Sequence, residues 1–214
     1  MRLVQQPASG TGDVKLDGIK VLDLSQFLPG PHLTMTMADH GANVLMVEPK
    51  NGIGEPVRAM GARTPDGISV WFRNIARGKR SVVLDLKDPG DKAAFLKLAE
   101  DADVIVEAFR PGVVKRLGID YDMIAAHNPR IVYCSISAFG QESPLRDKPS
   151  HDLGVQALAG TLDLSRGFSD NKPNMPNLVA ADMASSLTAR SAILMALLAR
   201  ETTGKGDYID IAMY

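Results

Sequence analysis

The sequence predicts an α/β fold of the Rossmann-like kind, an open and mainly parallel sheet of about six strands with helices on both faces. Two observations support this prediction. Short apolar runs of strand length alternate with segments of helical period along most of the 214 residues, which is typical of a doubly wound sheet. A chain of this length can also bury a core without disulfides, and Cys134 is its single cysteine.

The first predicted elements form a β-α-β unit. It consists of a strand at residues 19–24, a helix at residues 31–40 that Gly41 can end, and a strand at residues 42–47. Further strands are predicted at residues 81–86, 103–109, 130–136 and 208–213, and further helices at residues 91–100, 121–127, 151–159 and 178–199.

The domain predicted from this pattern covers residues 16–214. Residues 1–15 have no apolar period, and we expect them to form a loose N-terminal extension. Two irregular segments, residues 49–80 and 162–177, are candidates for lining a site, because long loops in compact α/β domains are usually functional or disordered. The last predicted strand runs to Tyr214 without a polar tail or a helix cap, so we expect a truncated chain.

The charge balance excludes several classes of partner. The chain has 24 Lys and Arg against 25 Asp and Glu, so we expect no basic face for nucleic acid or a membrane surface. The longest apolar stretch, residues 192–199, is too short to span a bilayer. A single cysteine and a start without an apolar signal segment predict a cytoplasmic protein.

The usual cofactor motifs are missing from the sequence. Gly52 and Gly54 lack the third glycine of the dinucleotide fingerprint, and no phosphate-binding P-loop motif occurs. The four histidines share no ligand spacing, so no metal site is predicted.

Basic residues close to the predicted strands form a candidate anion site. Arg110 and Arg116 follow the fourth strand beside a helix start near Pro111, and Arg80 belongs to a second basic group. Open α/β sheets bind anionic groups beyond the carboxyl ends of their strands, near helix N-termini. A bound nucleotide tail is one interpretation of these residues, and a solvated basic edge is the other.

The segment 149–154 (PSHDLG) contains the candidate catalytic groups. Ser150 could be a helix N-cap and Asp152 a first-turn carboxylate with no catalytic part. A Ser-His-Asp hydrolase triad is disfavoured, because three consecutive residues on one helical turn point in different directions. A catalytic carboxylate or imidazole at this helix start remains open. Asp182 is a second candidate, because a carboxylate beside an apolar helix must reach solvent or find a partner.

Eight short segments, in order along the chain, resemble the family III CoA-transferases, which also include the α-methylacyl-CoA racemases. They are residues 16–24 (LDGIKVLDL), 29–31 (PGP), 38–44 (ADHGANV), 47–49 (VEP), 77–82 (RGKRSV), 84–87 (LDLK), 106–113 (VEAFRPGV) and 135–140 (SISAFG). The resemblance implies a CoA thioester as substrate, without a prosthetic group. It also implies an interlocked homodimer for a complete family member, whose smaller second domain is largely missing here.

The resemblance also implies roles for individual residues. Phe109, Arg110 and Arg116, with Arg80, would hold the CoA nucleotide and phosphates, and Leu28 would pack against the CoA arm. The transferase nucleophile is expected at Asp152. In the racemases, His151 and Asp182 would exchange the α-proton of the acyl group.

Three functions follow as hypotheses. An α-methylacyl-CoA racemase is favoured, because His151 stands where transferases commonly have an aromatic residue. The alternative is a CoA-transferase that moves CoA between an acyl-CoA and a carboxylic acid acceptor through an aspartyl-CoA thioester. The third is an inactive CoA-binding fragment of a larger enzyme.

Overall fold

A six-stranded, all-parallel sheet organises the chain. The computed structural model describes residues 14–167 and 171–214, so the predicted extension lies outside the described residues except for its last two positions. The strands are β1 (Lys20–Asp23), β2 (Asn43–Pro49), β3 (Arg80–Leu84), β4 (Val104–Glu107), β5 (Val132–Ser137) and β6 (Asp207–Ala212). Their order is β3-β2-β1-β4-β5-β6, which confirms the predicted fold class and places a topological switch point between β1 and β4.

Helices cover both faces of this sheet. They are α1 (Pro29–Asp39), α2 (Val70–Ile75), α3 (Pro89–Glu100), α4 (Val113–Leu117), α5 (Tyr121–Ala125), α6 (Asp152–Leu158), α7 (Thr161–Leu164) and α8 (Ala180–Thr203). Helices α1 and α8 pack on one face, where Val21 and Val104 meet Leu33 and Ile193. Helices α3 and α5 pack on the other face. None of the helices in the described ranges is long and apolar enough to cross a membrane.

Burial on both faces explains why the strands could be predicted. In β4, for example, all four residues are buried, because Val104 and Val106 face α1 and α8 while Ile105 faces α3 and α5. Such strands are continuously apolar rather than alternating. The sheet therefore separates two apolar layers of the core.

Side-chain caps determine where the helices begin. The Asp88 carboxylate accepts the N–H groups of Gly90 and Asp91 at 2.9 and 3.0 Å, so α3 begins two residues before the predicted start. Asp120 caps α5 by accepting the N–H of Met123. Both carboxylates satisfy backbone donors that a helix leaves unpaired in its first turn.

The predicted irregular segment 49–80 contains more structure than expected. A short 3-10 helix (Pro56–Ala59) begins at the Glu55 side chain, and α2 begins at the Ser69 side chain. Both helices pack into a third apolar cluster, formed by Met46, Val57, Phe72, Ile75 and Ala76. These helices are too short to give a clear sequence period, so the interpretation of the whole segment as a loop was wrong.

A buried ion pair fixes the turn between β1 and α1. The Lys79 ammonium lies 2.9 Å from the Asp23 carboxylate, and both side chains are fully buried. Lys79 also donates to the carbonyl oxygen of Pro31, while Asp23 accepts the N–H of Ser25 and the hydroxyl of Thr34. These bonds join the end of β1 to the start of α1.

Candidate active site

A cavity of about 390 Å³ lies beyond the carboxyl ends of β1, β4 and β5. Its walls come from the turn after β1 with Gln26 and Phe27, the turn after β4 with Phe109 and Arg110, and residues 146 and 148–151. Asp182 completes the lining from the first turn of α8. The cavity thus lies at the switch point, where open α/β sheets bind their ligands.

Asp182 is the acidic side chain that lines this cavity. It is partly buried, and burial raises its pKa to about 6, with the nearby Asp152 charge acting in the same direction. Among the described residues, neither a cation nor a hydrogen bond offsets these two effects. The group is therefore a partly desolvated carboxylate whose pKa lies closer to neutral pH than that of an ordinary aspartate.

Asp152 lies behind Asp182 and does not line the cavity. It lies in the first turn of α6, as predicted, although the helix begins at Asp152 rather than at residue 151, and it is buried. One of its oxygens accepts the N–H groups of Ala181 and Asp182 at 2.8 and 3.1 Å, and the other accepts the Gln156 amide at 2.6 Å. Asp152 thus caps the start of α8, where the N-cap residue supplies no side-chain bond.

His151 lines the cavity together with Asp182. It is exposed and forms the N-cap of α6 without a side-chain bond. Its ring meets the Phe27 ring nearly at a right angle, with the centroids 5.6 Å apart. Ser150 donates to the His151 carbonyl and does not cap α6, so the predicted Ser150 cap is wrong.

Two of the residues predicted to bind CoA, Phe109 and Arg110, line the cavity. The carboxylate of Glu107 holds this turn by accepting the N–H of Phe109 at 2.8 Å. Burial raises the pKa of Glu107 to about 7, although hydrogen bonds from the Ser135 hydroxyl and the Phe109 N–H act against the increase. Sequence reasoning missed Glu107, which is indistinguishable there from any strand-end acid.

The structure does not bring the other predicted CoA-binding residues to the cavity. Arg80 lies at the amino end of β3, opposite the cavity edge of the sheet, and its guanidinium donates to the Asn43 side chain at 2.7 Å. Arg116 is exposed in the last turn of α4. Leu28 packs against the third apolar cluster. None of the three belongs to the lining.

Two cations that the sequence analysis overlooked do line the cavity, Arg146 and Lys148. With Arg110 they give the cavity lining three positive side chains. Their position shortly before His151 was the only signal in the sequence, and exposed basic residues usually have no specific role. The arrangement suits an anionic ligand.

Carboxylate and imidazole side chains are the chemical groups of this site. They suit either nucleophilic attack on an acyl group or exchange of an α-proton. Within residues 14–167 and 171–214, no group of three His, Cys, Asp or Glu is placed to hold a metal ion. Cys134 is buried in β5, where burial raises the pKa of its thiol.

Comparison with known proteins gives matches along nearly the whole chain. The model of the family "CoA-transferase family III" matches residues 16–214. The chain is 42% identical over 199 residues to acetyl-CoA:oxalate CoA-transferase of Acetobacter aceti, covering 92% of this chain and 50% of that protein. It is 39% identical over 207 residues to succinyl-CoA:mesaconate CoA-transferase of Haloarcula hispanica, covering 93% and 52%.

A human relative and a solved structure agree with these matches. The chain is 34% identical to the human succinyl-CoA:glutarate CoA-transferase, over 96% of this chain and 47% of that protein. A CAIB/BAIF family protein from Brucella suis superposes with a TM-score of 0.87 at 33% identity, over 94% of this chain and 54% of that one. The chain therefore spans about half the length of the curated relatives that it matches.

Proposed function

The chain belongs to CoA-transferase family III, and we propose that it moves CoA between carboxylic acids with Asp182 as the nucleophile. The observation that carries this proposal is the Asp182 carboxylate, which lines the cavity at the switch point beside Phe109 and Arg110. The names of the relatives support CoA transfer over the racemisation that His151 suggested.

The proposed reaction proceeds through covalent intermediates on Asp182. The Asp182 carboxylate attacks the carbonyl carbon of the thioester, and the carbon–sulfur bond breaks. The CoA thiolate departs, and a mixed anhydride between Asp182 and the acyl group remains. The thiolate then attacks the Asp182 carbonyl of the anhydride and releases the first carboxylate, which leaves an aspartyl-CoA thioester. An incoming carboxylate attacks the carbonyl carbon of this thioester, which releases the CoA thiolate and forms a second mixed anhydride. The thiolate then attacks the acyl carbon of the incoming acid, which gives the new acyl-CoA and free Asp182.

Asp152, the nucleophile that the resemblance implied, is proposed instead to position Asp182. Its oxygens already accept three hydrogen bonds, two of them from the N–H groups of Ala181 and Asp182 itself. A carboxylate held in this way is a poor nucleophile, because attack would break the cap of α8. Burial raises the pKa of Asp182, and the Asp152 charge acts in the same direction.

We propose a dicarboxylic acid as the acceptor. The relatives carry oxalate, mesaconate or glutarate in their names. The cations Arg110, Arg146 and Lys148 around the cavity suit a ligand that carries CoA phosphates at one end and a carboxylate at the other.

The test is an intact-mass measurement on the chain mixed with succinyl-CoA or acetyl-CoA and one of the three acids. We expect a covalent CoA adduct, transfer of CoA to the acid, and a rate that rises with pH through about 6, the pKa of Asp182. Asp182→Asn should abolish the adduct, whereas Asp152→Asn should retain part of the activity. If Asp152→Asn loses the adduct while Asp182→Asn retains it, the result would instead support Asp152 as the nucleophile.

The same sample separates the two other hypotheses. A chiral 2-methylacyl-CoA in deuterated water, without an acceptor acid, would exchange its α-hydrogen if His151 and Asp182 catalysed racemisation. We expect no deuterium incorporation. Binding of CoA without adduct or transfer would contradict the transferase proposal for this chain and support a CoA-binding fragment.

A further inference from the structure

The turn between β1 and α1 holds a residue in an unusual conformation beside the cavity. Phe27 has a φ of 65°, in the left-handed region that residues other than glycine rarely adopt. Nothing in the side chain of phenylalanine favours this backbone. Contacts from outside the turn must therefore hold it.

Glu55 supplies such a contact. Its side chain is 2% exposed. One carboxylate oxygen accepts the N–H of Phe27 at 2.9 Å, and the other accepts the N–H of Val57 at 2.7 Å. Burial raises the pKa of Glu55, and these two bonds act against the increase. The carboxylate thus links the turn after β1 to the start of the 3-10 helix.

Glu55 is in turn fixed by Glu48 and Arg58. The N–H of Glu55 donates to the Glu48 carboxylate at 2.9 Å, and the Arg58 guanidinium binds both oxygens of Glu48 at 2.6 Å. Arg58 also lies over the Phe72 ring at 3.8 Å. These contacts restrict the position of Glu55, because its backbone N–H is bound to Glu48, which Arg58 holds in place. The Glu55 carboxylate therefore cannot move readily with Phe27 if the turn relaxes.

Phe27 transmits this geometry to the cavity. Its ring contacts the His151 ring nearly at a right angle, and it also packs against the third apolar cluster. Phe27, His151 and Asp182 all line the same cavity. The part of the cavity wall formed by the Phe27 and His151 rings therefore depends on a backbone conformation that Glu55 holds.

We propose that Glu55 is a positioning residue of the active site, which fixes the Phe27 ring against His151 by holding Phe27 in the left-handed conformation. The hydrogen bond from Phe27 to Glu55 and the contact between the Phe27 and His151 rings do not depend on which reaction occurs. The expected effect of Glu55 on CoA binding rests on the proposed function. Glu55 does not line the cavity. It acts on the ligand only through Phe27.

The test is NMR on the chain without ligand, followed by titration with CoA. We expect a nuclear Overhauser effect between the ring protons of Phe27 and His151 that weakens strongly in Glu55→Ala. Glu55→Gln should retain it, because the amide oxygen can still accept the Phe27 N–H. Glu142→Gln, at an exposed position, is the matched control. CoA affinity should fall by about tenfold in Glu55→Ala and much less in Glu55→Gln.

Each outcome bears on one of the two proposals. A folded Glu55→Ala chain that keeps the full ring-to-ring signal would overturn the positioning role. If Glu55→Ala fails to fold, Glu55→Asp replaces it, because the shorter carboxylate cannot reach both N–H groups, and an unchanged signal there would be equally decisive against the role. If the unaltered chain does not bind CoA, the proposed function is contradicted. The nuclear Overhauser effect between the Phe27 and His151 rings still tests the positioning role of Glu55 in that case.

Discussion

Asp152 and Asp182 lie at the same helix start but have different surroundings. Asp152 is buried with hydrogen bonds to both oxygens, whereas Asp182 reaches the cavity and burial raises its pKa to about 6. The Asp152 carboxylate is therefore fixed by its hydrogen bonds, whereas the Asp182 carboxylate is partly desolvated at the cavity. The difference follows from position, because the Asp152 carboxylate caps α8 from the first residue of α6, whereas Asp182 in the first turn of α8 lines the cavity.

The capping role of Asp152 can be measured through stability. Asp152→Ala leaves the N–H groups of Ala181 and Asp182 without their acceptor, so we expect the free energy of unfolding to fall by about 2 kcal/mol. Asp152→Asn should keep most of the stability of the unaltered chain, because a single side-chain oxygen accepts both N–H groups and asparagine retains one such oxygen. Urea unfolding gives the values. Asp122→Ala, at an exposed first-turn position of α5, should change stability by less than about 0.5 kcal/mol. Equal losses in both alanine variants would contradict the capping role.

Glu107 predicts a particular pH dependence of stability. Burial raises its pKa from 4.5 to about 7, so the folded chain binds more protons than the unfolded chain between these values, and this carboxyl lowers stability as pH rises through that window. Glu107→Gln keeps an acceptor for the Phe109 N–H and removes the buried charge.

We therefore expect Glu107→Gln to be more stable than the unaltered chain at pH 8, by up to about 3 kcal/mol, with little difference near pH 4.5. Urea unfolding across this range gives the difference curve, in which the contribution of Asp182 cancels. Glu142→Gln serves as the exposed control. A difference between Glu107→Gln and the unaltered chain that does not vary with pH would show that Glu107 is already ionised at its site.

Among the elements, the sheet and its main helices were predictable, because burial on both faces makes the strands continuously apolar. The limits of β4 fall inside the predicted 103–109, and α8 differs from the predicted 178–199 by a few residues at each end. The short helices in segment 49–80 were missed, because single side-chain caps at Glu55 and Ser69 start them.

The site was only partly predictable for a related reason. His151 and Asp182 were named from local sequence, and both line the cavity. The cap of α8 by Asp152 and the bond from Phe27 to Glu55 join residues far apart in the chain. No local pattern indicates such partners, so tertiary packing decides them.

The junction of β1, α1 and the residue before β3 depends on the Lys79–Asp23 pair. Both side chains are fully buried, so Lys79→Ala would leave the Asp23 charge in the core without its cation. We expect unfolding free energy to fall by about 3–5 kcal/mol. Lys97→Ala removes an exposed pair with Glu100 and should change the free energy of unfolding far less, because exposed ion pairs contribute little. A similar small loss for Lys79→Ala, in the same urea experiment, would show that water replaces the cation.

At the scale of the whole molecule, every strand points its carboxyl end to one edge of the sheet. The turns after β1, β4 and β5 meet there and form the cavity. Arg110 lies at this edge, whereas Arg80 starts β3 at the opposite one. Topology thus separates two arginines that the resemblance had grouped as CoA-binding residues.

Binding of CoA at the cavity edge should stabilise the whole chain, because a ligand that binds only the folded state adds free energy by mass action. At a CoA concentration of about 100 times the dissociation constant the gain is about 2.7 kcal/mol, which raises the melting temperature by about 5–10 °C for a chain of this size. Arg110→Ala should reduce this rise and its dependence on salt, since the guanidinium would contact phosphate. Arg80→Ala, whose partner is Asn43, should leave it unchanged. The measurement is thermal unfolding with and without CoA at two salt concentrations. If only Arg80→Ala loses the CoA-dependent rise in melting temperature, the nucleotide binds at the other edge of the sheet.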